Sequence, residues 1–437
     1  MTSELVVLLA GRRVGLVSRT SKGRLTFTYD LAWSESRDAY PLSPTMPIAA
    51  VEHGPTAIET FIWGLLPDNE QVLERWARRF QVSAHNPFAL IANVGEDCAG
   101  AVQFVRPERL EEVQGGGADR VDWLEESEIA DRLRLLREDH AAWRLPSDTG
   151  QFSLAGAQPK TALLFENGRW GIPSGRLPTT HILKPPLGHF DGHAENEHAC
   201  LGLARALGMP AARSRVEHFG GELAMVVERY DRLKFGQGMV RVHQVDMCQA
   251  LAVLPVNKYQ NEGGPGIGEI VDLLRTHSTQ RGDDIQTFLD GIGLNWLIAG
   301  TDAHAKNYSL LLGGGPVVRL APLYDVASIL PYDEFHLPKV KLSMKIGGEY
   351  QVGGIGLRQW QTLAKAVRID ESRLLDRLVD MARRVPDAIH DVREASRRDG
   401  LAQPVLEKLE ARLIQRARHC LKLLQNDGPH GVDPRTP

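Results

Sequence analysis

The spacing of apolar residues changes just past the midpoint of this 437-residue chain, and few folds accommodate that change. Between Gly150 and Arg232 the apolar residues fall in strand-length runs, "KTALLF", "THILK" and "ELAMVVERYDR". One helix interrupts them, "AENEHACLGLARALGMP", stopped by Gly208 and Pro210. Beyond about residue 236 the spacing becomes mainly helical, in "HQVDMCQALAVL", "IGEIVDLLRTH", "IQTFLDGIGLNWLIAG" and several helices from "LRQWQTLAKAV" to "ARLIQRARHCLKLLQN". A β-rich lobe followed by a helical lobe predicts a cleft between them.

A separate unit precedes the two lobes. "ELVVLLAGRRVGLVSRTSKGRLTFTYD" reads as antiparallel strands with Gly-Arg and Lys-Gly turns, and helical spacing takes over in "TAIETFIWGLLPDNEQVLERWARRF". "NPFALIANVGEDCAGAVQF" then gives a helix, a glycine turn and a strand. Residues 1–108 are therefore expected to form a small α+β subdomain, and the acidic stretch 109–149 a surface connector with one amphipathic helix. Residues 150–235 would be the β-rich lobe, 236–425 the helical lobe and 426–437 a disordered tail.

Charge narrows the partners. With 51 basic and 55 acidic residues the net charge is -4, so no global positive field draws the chain to nucleic acid or an anionic membrane. Any DNA contact must be local or borrowed from a partner. Cys98, Cys200, Cys248 and Cys420 form no CxxC pair and read as buried small hydrophobes in a reducing compartment. The apolar run near the N-terminus is too short for a secretory core and follows acidic Glu4, and no segment approaches the roughly 20 apolar residues that span a bilayer. A cytoplasmic protein with no membrane partner is expected.

The chemistry concentrates in "GTDAHAKNYSLLL". Phosphoryl transfer from ATP needs a carboxylate beside the incoming hydroxyl, oxygen ligands for Mg²⁺, and a lysine or backbone amides on the phosphates. Asp302 and Asn307 keep the D-x-x-x-x-N spacing of a kinase catalytic loop, and Asp325 follows 18 residues later in "LAPLYDVAS". Taken alone, "TDAHAKN" reads equally as a helix end whose polar side chains satisfy orphan carbonyls. His304 and Lys306 either orient this loop and neutralise phosphate charge or stand as solvent-facing cations at the helix end.

Other parts of a nucleotide site are spread upstream. "SLAGAQPK", Ser153 to Lys160, offers small Ala155, Gly156 and Ala157 where backbone amides would approach an anion, or else forms a tight hairpin. Lys184 in "THILKPP" is a candidate to grip ATP phosphates, with Glu197 on the following helix as its ion-pair partner. "VVERYDR" reads as an inter-lobe hinge whose backbone at Glu228 to Tyr230 faces an adenine, or as a strand end with a solvated charge run. His189, His193 and His198, near Cys200, raise a zinc reading, but H-E-x-x-H is absent and the stretch resembles an exposed loop.

The motifs "YPLSPTMP", "WGLLPDN", "GEDCAGAVQF", "SLAGAQPKTALL", "IPSGRLPTTHILK", "NEHACLGLARALG", "VERYDR", "HQVDMCQAL", "KYQNEGGPGI", "NWLIAGTDAHAKNYSLLL", "LAPLYDVAS" and "KLSMKIGG" occur in this order over nearly the whole chain. Together they resemble the HipA-type serine/threonine kinases, toxins of bacterial toxin-antitoxin pairs. The resemblance implies an α+β, two-lobed protein-kinase-like fold with an extra N-terminal subdomain. It also implies a HipB-like helix-turn-helix antitoxin, operator DNA reached through that antitoxin, and a protein substrate such as an aminoacyl-tRNA synthetase.

By the same resemblance, Asp302 is the catalytic aspartate with Lys306 beside it, and Asn307 and Asp325 hold Mg²⁺. Ala155, Gly156, Ala157, Gln158, Lys160, Lys184, Glu228, Arg229, Tyr230, His304, Asn307 and Tyr324 line the ATP site. Ser153 matches a serine that the kinase phosphorylates on itself. Pro159 and Tyr230 depart from the frequent glutamate and phenylalanine. A competing expectation is an ATP-binding regulatory module that acts through a DNA-binding antitoxin. A lipid or small-molecule kinase ranks lower, for want of a recognisable basic membrane surface.

Overall fold

The computed structural model describes residues 3–117, 119–143, 152–186, 188, 190–236, 238–401 and 404–425. The expected tail, 426–437, lies outside the described residues. The N-terminal strands form a five-stranded antiparallel sheet in the order Glu52–His53, Leu25–Tyr29, Arg12–Arg19, Glu4–Leu9, Val102–Val105. Strand Leu25–Tyr29 alternates buried and half-buried positions, which puts Leu25, Phe27 and Tyr29 on one face, against the core.

Helix Pro55–Leu65 packs against strand Leu25–Tyr29, and a short turn joins it to helix Glu70–Phe80. The first helix ends before Pro67, which cannot continue it. Asn69 starts the second, its side-chain oxygen accepting from the backbone amides of Gln71 at 2.9 Å and Val72 at 3.4 Å. Asp68 is thus held between a proline and a helix cap.

A six-stranded antiparallel sheet comes next, in the order Ser214–Phe219, Glu222–Glu228, His181–Lys184, Thr161–Glu166, Arg169–Ser174, Arg120–Leu124. Its last strand corrects one expectation. The stretch 109–149 is not a mere surface connector: Arg120–Leu124 pairs with Arg169–Ser174, and helix Glu126–Glu138 buries Ile129 and Leu133 against Leu163, Trp170 and Phe219. Acidic composition hid a short edge strand whose apolar face is supplied by distant neighbours.

The C-terminal lobe is mainly helical around Ile267–His277, Arg281–Ile298, Leu357–Ala366, Glu371–Arg398 and Pro404–Gln425. It also holds a three-stranded sheet, His243–Asp246, Ser309–Gly313 and Val317–Leu320. "HQVDMCQALAVL" is therefore a strand followed by the four-residue helix Met247–Ala250, not a continuous helix. One contiguous core runs from Phe27 and Phe61 through Cys200 and Cys248 to Trp296, Trp360 and Leu409. All four cysteines are buried and free. Among the described residues no helix is long and apolar enough to cross a membrane.

Candidate active site

Helix Arg281–Ile298 delivers the "TDAHAKN" loop, and its last carbonyls are met by backbone amides and by the Ser328 hydroxyl rather than by the side chains of that loop. Ala299 turns left-handed, at φ 51°, and the amide of Gly300 donates to the Asn295 carbonyl at 2.7 Å. The polar side chains beyond it are therefore not used to cap this helix. Asp302 projects with 70% of its side chain exposed, open to an incoming group. The Tyr259 hydroxyl donates to its Oδ1 at 2.6 Å, and the Asn307 amide donates to its backbone carbonyl at 2.7 Å. Burial, reinforced by the Asp302 carboxylate, holds the Tyr259 phenol protonated. His304 is buried, which pushes its imidazole down to about 4 and leaves it neutral at pH 7; it packs edge-on against the Tyr259 ring.

Opposite the loop stands Lys184, at the end of the central strand His181–Lys184. Its ammonium lies 2.8 Å from Glu197 Oε1, on helix His193–Ala206, and also contacts Asp325. Burial alone would depress the Lys184 ammonium, but Asp325 and Glu197 together raise it. Burial raises the Glu197 carboxyl, whereas Asp325 is held well below the usual carboxylate range by Lys184 and Lys160 against its own desolvation. Asp325 adopts φ 51°, a left-handed conformation that Asp tolerates better than most side chains, and keeps its carboxylate facing the cleft.

The segment Ser153 to Lys160 is a loop with no hairpin; it docks on the N-terminal subdomain through bridges Pro67 to Gly156 and Asp97 to Phe152. Ser153 is fully buried and donates to the Leu65 carbonyl at 2.7 Å. Gly156 has φ 100°, beyond the reach of ordinary side chains, and a Cβ there would meet Lys160 Nζ at 2.6 Å. Lys160 donates to the Ala155 carbonyl at 2.8 Å, faces the Trp143 ring, and is brought down to about 8 by burial. Ala155, Gly156, Ala157, Gln158 and Lys160 all line a cleft of about 700 Å³, shared with Lys184, Asp302, His304, Asn307 and Asp325.

At the hinge, Glu228 and Tyr230 face the same cleft, and the Tyr230 ring lies 5.7 Å from that of Tyr324. The Tyr230 hydroxyl bonds the Gln244 side chain, and the Tyr324 hydroxyl donates to the Lys306 carbonyl at 2.6 Å. Apart from the exposed Glu228, the charges of "VVERYDR" are not solvated. Arg229 and Arg232 are buried with Asp231, and they pair with Asp97 and Asp231 in a cluster joining the N-terminal subdomain to the hinge. The Arg229 side chain is thereby spent on this joint, and its contribution to the cleft is main chain.

Lys306 needs a correction too. Its buried ammonium is 2.9 Å from Asp68 Oδ1 and 3.8 Å from Asp246 Oδ2, and those carboxylates raise it despite burial. Its charge is matched inside the protein and is not a free counter-charge for phosphate. Asp68, Lys258 and Tyr259 are functional candidates that the sequence alone does not single out. Each is an ordinary surface residue type, and only the Asn-capped proline turn "LLPDN" marks Asp68 as fixed. Of the histidines weighed for zinc, His198 bonds the Ser214 hydroxyl at 3.0 Å, and His189 lies outside the described residues.

The donor set suits a hard divalent cation and a nucleotide. The Asp325 carboxylate and the amide oxygen of Asn307 are oxygen ligands of the kind Mg²⁺ takes. The cleft is lined both by the Tyr230 and Tyr324 rings and by Lys160, Lys184 and Lys258, residue types that suit a base and a polyphosphate.

Comparison with known proteins agrees along the length of the chain. Residues 5–105 match the model of the HipA N-terminal domain, and residues 152–389 that of the HipA-like C-terminal domain. Y4mE of Sinorhizobium fredii, a candidate kinase by name, is 35% identical over 88% of this chain and 90% of its own. The serine/threonine-protein kinase toxin HipA of Shewanella oneidensis is 31% identical over 83% of each chain. A solved complex of Shewanella oneidensis HipA with HipB and its operator DNA superposes with a TM-score of 0.81, at 27% identity, over 96% of this chain and 98% of that one.

Proposed function

The chain belongs to the HipA family, and on that premise we propose that it is a serine/threonine kinase toxin that transfers the γ-phosphoryl group of ATP to a protein hydroxyl. The observation that carries this reading is the convergence of Asp302 and Asn307, Asp325, and Lys184 on one cleft from three separate segments. In the proposed step the Asp302 carboxylate accepts the proton of a serine or threonine hydroxyl as its oxygen attacks the γ-phosphorus. The bond to the β–γ bridging oxygen breaks and ADP leaves. Tyr259, bonded to Oδ1, fixes the rotation of that carboxylate. Lys184, held by Glu197, meets the phosphates, and the Tyr230 and Tyr324 rings flank the base. A Mg²⁺ ion held by Asn307 and Asp325 would supply charge that neutralises the phosphates.

The finer parts of this reading are a HipB-like helix-turn-helix partner and, as substrate, an aminoacyl-tRNA synthetase. A net charge of -4 favours operator contact through that partner rather than by this chain alone. Ser153 is the proposed site of self-modification. A phosphoserine brings close to two negative charges and could not remain in the dry seat beneath Leu65, so it would dislodge the phosphate loop. The test is transfer of label from γ-labelled ATP to a panel of purified aminoacyl-tRNA synthetases. Label on a serine or threonine of one of them, absent with Asp302→Ala, is expected. Label on the chain itself but on no synthetase would remove that target and leave the kinase.

A further inference from the structure

We propose that Asp68, in the proline turn of the N-terminal subdomain, is a positioning residue that sets the catalytic aspartate, a role that rests on the phosphoryl-transfer reading above. Its carboxylate receives two lysines from different segments, Lys306 on Oδ1 and Lys258 on Oδ2, each at 2.9 Å. Each lysine precedes a residue that holds Asp302. Lys306 is followed by Asn307, whose amide fastens the Asp302 backbone carbonyl, and Lys258 by Tyr259, whose hydroxyl fastens the Asp302 carboxylate. The amide of Ala305 donates to the Lys258 carbonyl at 3.3 Å and closes the ring between the two segments. One carboxylate therefore draws together the main-chain and side-chain restraints on Asp302.

The same turn grips the opposite wall of the cleft. The Asp68 amide donates to the Gly156 carbonyl at 3.1 Å, and the Leu65 carbonyl receives the Ser153 hydroxyl at 2.7 Å. The phosphate loop and the catalytic loop thus share one support, and that support is stiff because Pro67 and the Asn69 cap fix it. Both Asp68 carboxylate oxygens are taken by the two lysines. The effect of Asp68 would pass through Lys258 and Lys306 to the rotation of the Asp302 carboxylate, and a misplacement of about 1 Å at such a base is worth on the order of 100-fold in rate.

The experiment is the initial rate of label transfer from γ-labelled ATP, to the chain itself and to a generic acceptor protein, across an ATP titration with the full-length chain. Asp68→Asn is expected to lower kcat roughly 10- to 100-fold while KM for ATP changes less than about threefold, and Asp68→Glu to recover part of the loss. Tyr259→Phe should also lower kcat, and the double variant should lose little more than the worse single variant, because both act on one carboxylate. Unchanged kcat in a folded Asp68→Asn chain, or fully additive losses with Tyr259→Phe, would overturn the role of Asp68 alone. Should Asp68→Asn fail to fold, Lys258→Met combined with Tyr259→Phe applies the same additivity criterion. No transfer by the unaltered chain would overturn the kinase reading together with this one.

Discussion

Lys184 and Glu197 meet as a buried ion pair, 2.8 Å apart, and the same ammonium reaches Asp325 across the cleft. The helix His193–Ala206, the central strand of the upper sheet and the loop after Leu323 are thereby tied at one charge. Such a pair is weak evidence for stability, since desolvation offsets much of its attraction, so its presence here is better explained by function.

Replacing that lysine tests the point. Lys184→Met is expected to lower phosphoryl transfer by at least about 100-fold. Glu197→Gln, which keeps a hydrogen-bonding group against the ammonium, should do less damage. Because removing one member of a buried pair costs roughly 3 kcal/mol, Lys184→Met should also lower the urea midpoint. Transfer at the unaltered rate by Lys184→Met would contradict the assignment.

Tyr230 separates adenine contact from hinge structure. Tyr230→Ala removes the ring that faces Tyr324 and is expected to weaken ATP binding roughly tenfold, about 1.4 kcal/mol. Tyr230→Phe keeps the ring and loses the hydroxyl's bonds to Gln244 and Ser309, and should bind ATP within about threefold of the unaltered chain. Calorimetric titration with ATP measures both, and equal losses would show that the hydroxyl, not the ring, is what matters.

What could be read from the sequence is what is local in the chain. The Asp302 to Asn307 spacing, the helix before it and the strand after it depend on neighbours, and the ordered motifs single out Lys184 and Asp325, both of which line the cleft. Long-range charge pairing was not legible. Asp68 and Lys258 are 190 positions apart, and Asp97 and Arg232 are 135 apart, so nothing nearby announces that these charges are buried against each other. The same blindness made Lys306 look free for phosphate and made the charges of "VVERYDR" compatible with a solvated run. The edge strand Arg120–Leu124 leaves little signal in the sequence because it is half-exposed and sits in an acidic stretch.

Ser153 should report the state of the phosphate loop. Ser153→Ala loses one buried hydrogen bond and is expected to cost about 1 kcal/mol of stability with ATP binding retained. Ser153→Asp places an unpaired charge in the same dry seat, and ATP affinity should drop at least about tenfold as the loop leaves it. Tight ATP binding by Ser153→Asp would mean that the loop accommodates charge where it stands.

Buried neutral histidines set a pH dependence. His243 is fully buried, bonded to the Leu42 carbonyl at 2.8 Å, and burial lowers its pKa from 6.5 to about 4. The unfolded chain binds the proton more readily, so stability is complete above pH 6.5 and is lost as pH falls toward 4, by on the order of 3 kcal/mol for this residue. Urea unfolding at pH 7 and pH 5 should show the drop, and His243→Gln should shrink it. An unchanged pH difference in that variant would assign the drop to other groups.

The most direct measurement is the intact mass of the dephosphorylated chain before and after incubation with Mg²⁺ and ATP, beside Asp302→Asn. The kinase reading, with Ser153 as the self-modified serine that the family resemblance implies, predicts a gain of one phosphoryl group at that residue in the unaltered chain, and none in the variant although it still binds ATP. The same gain in both would contradict Asp302 as the group that accepts the hydroxyl proton.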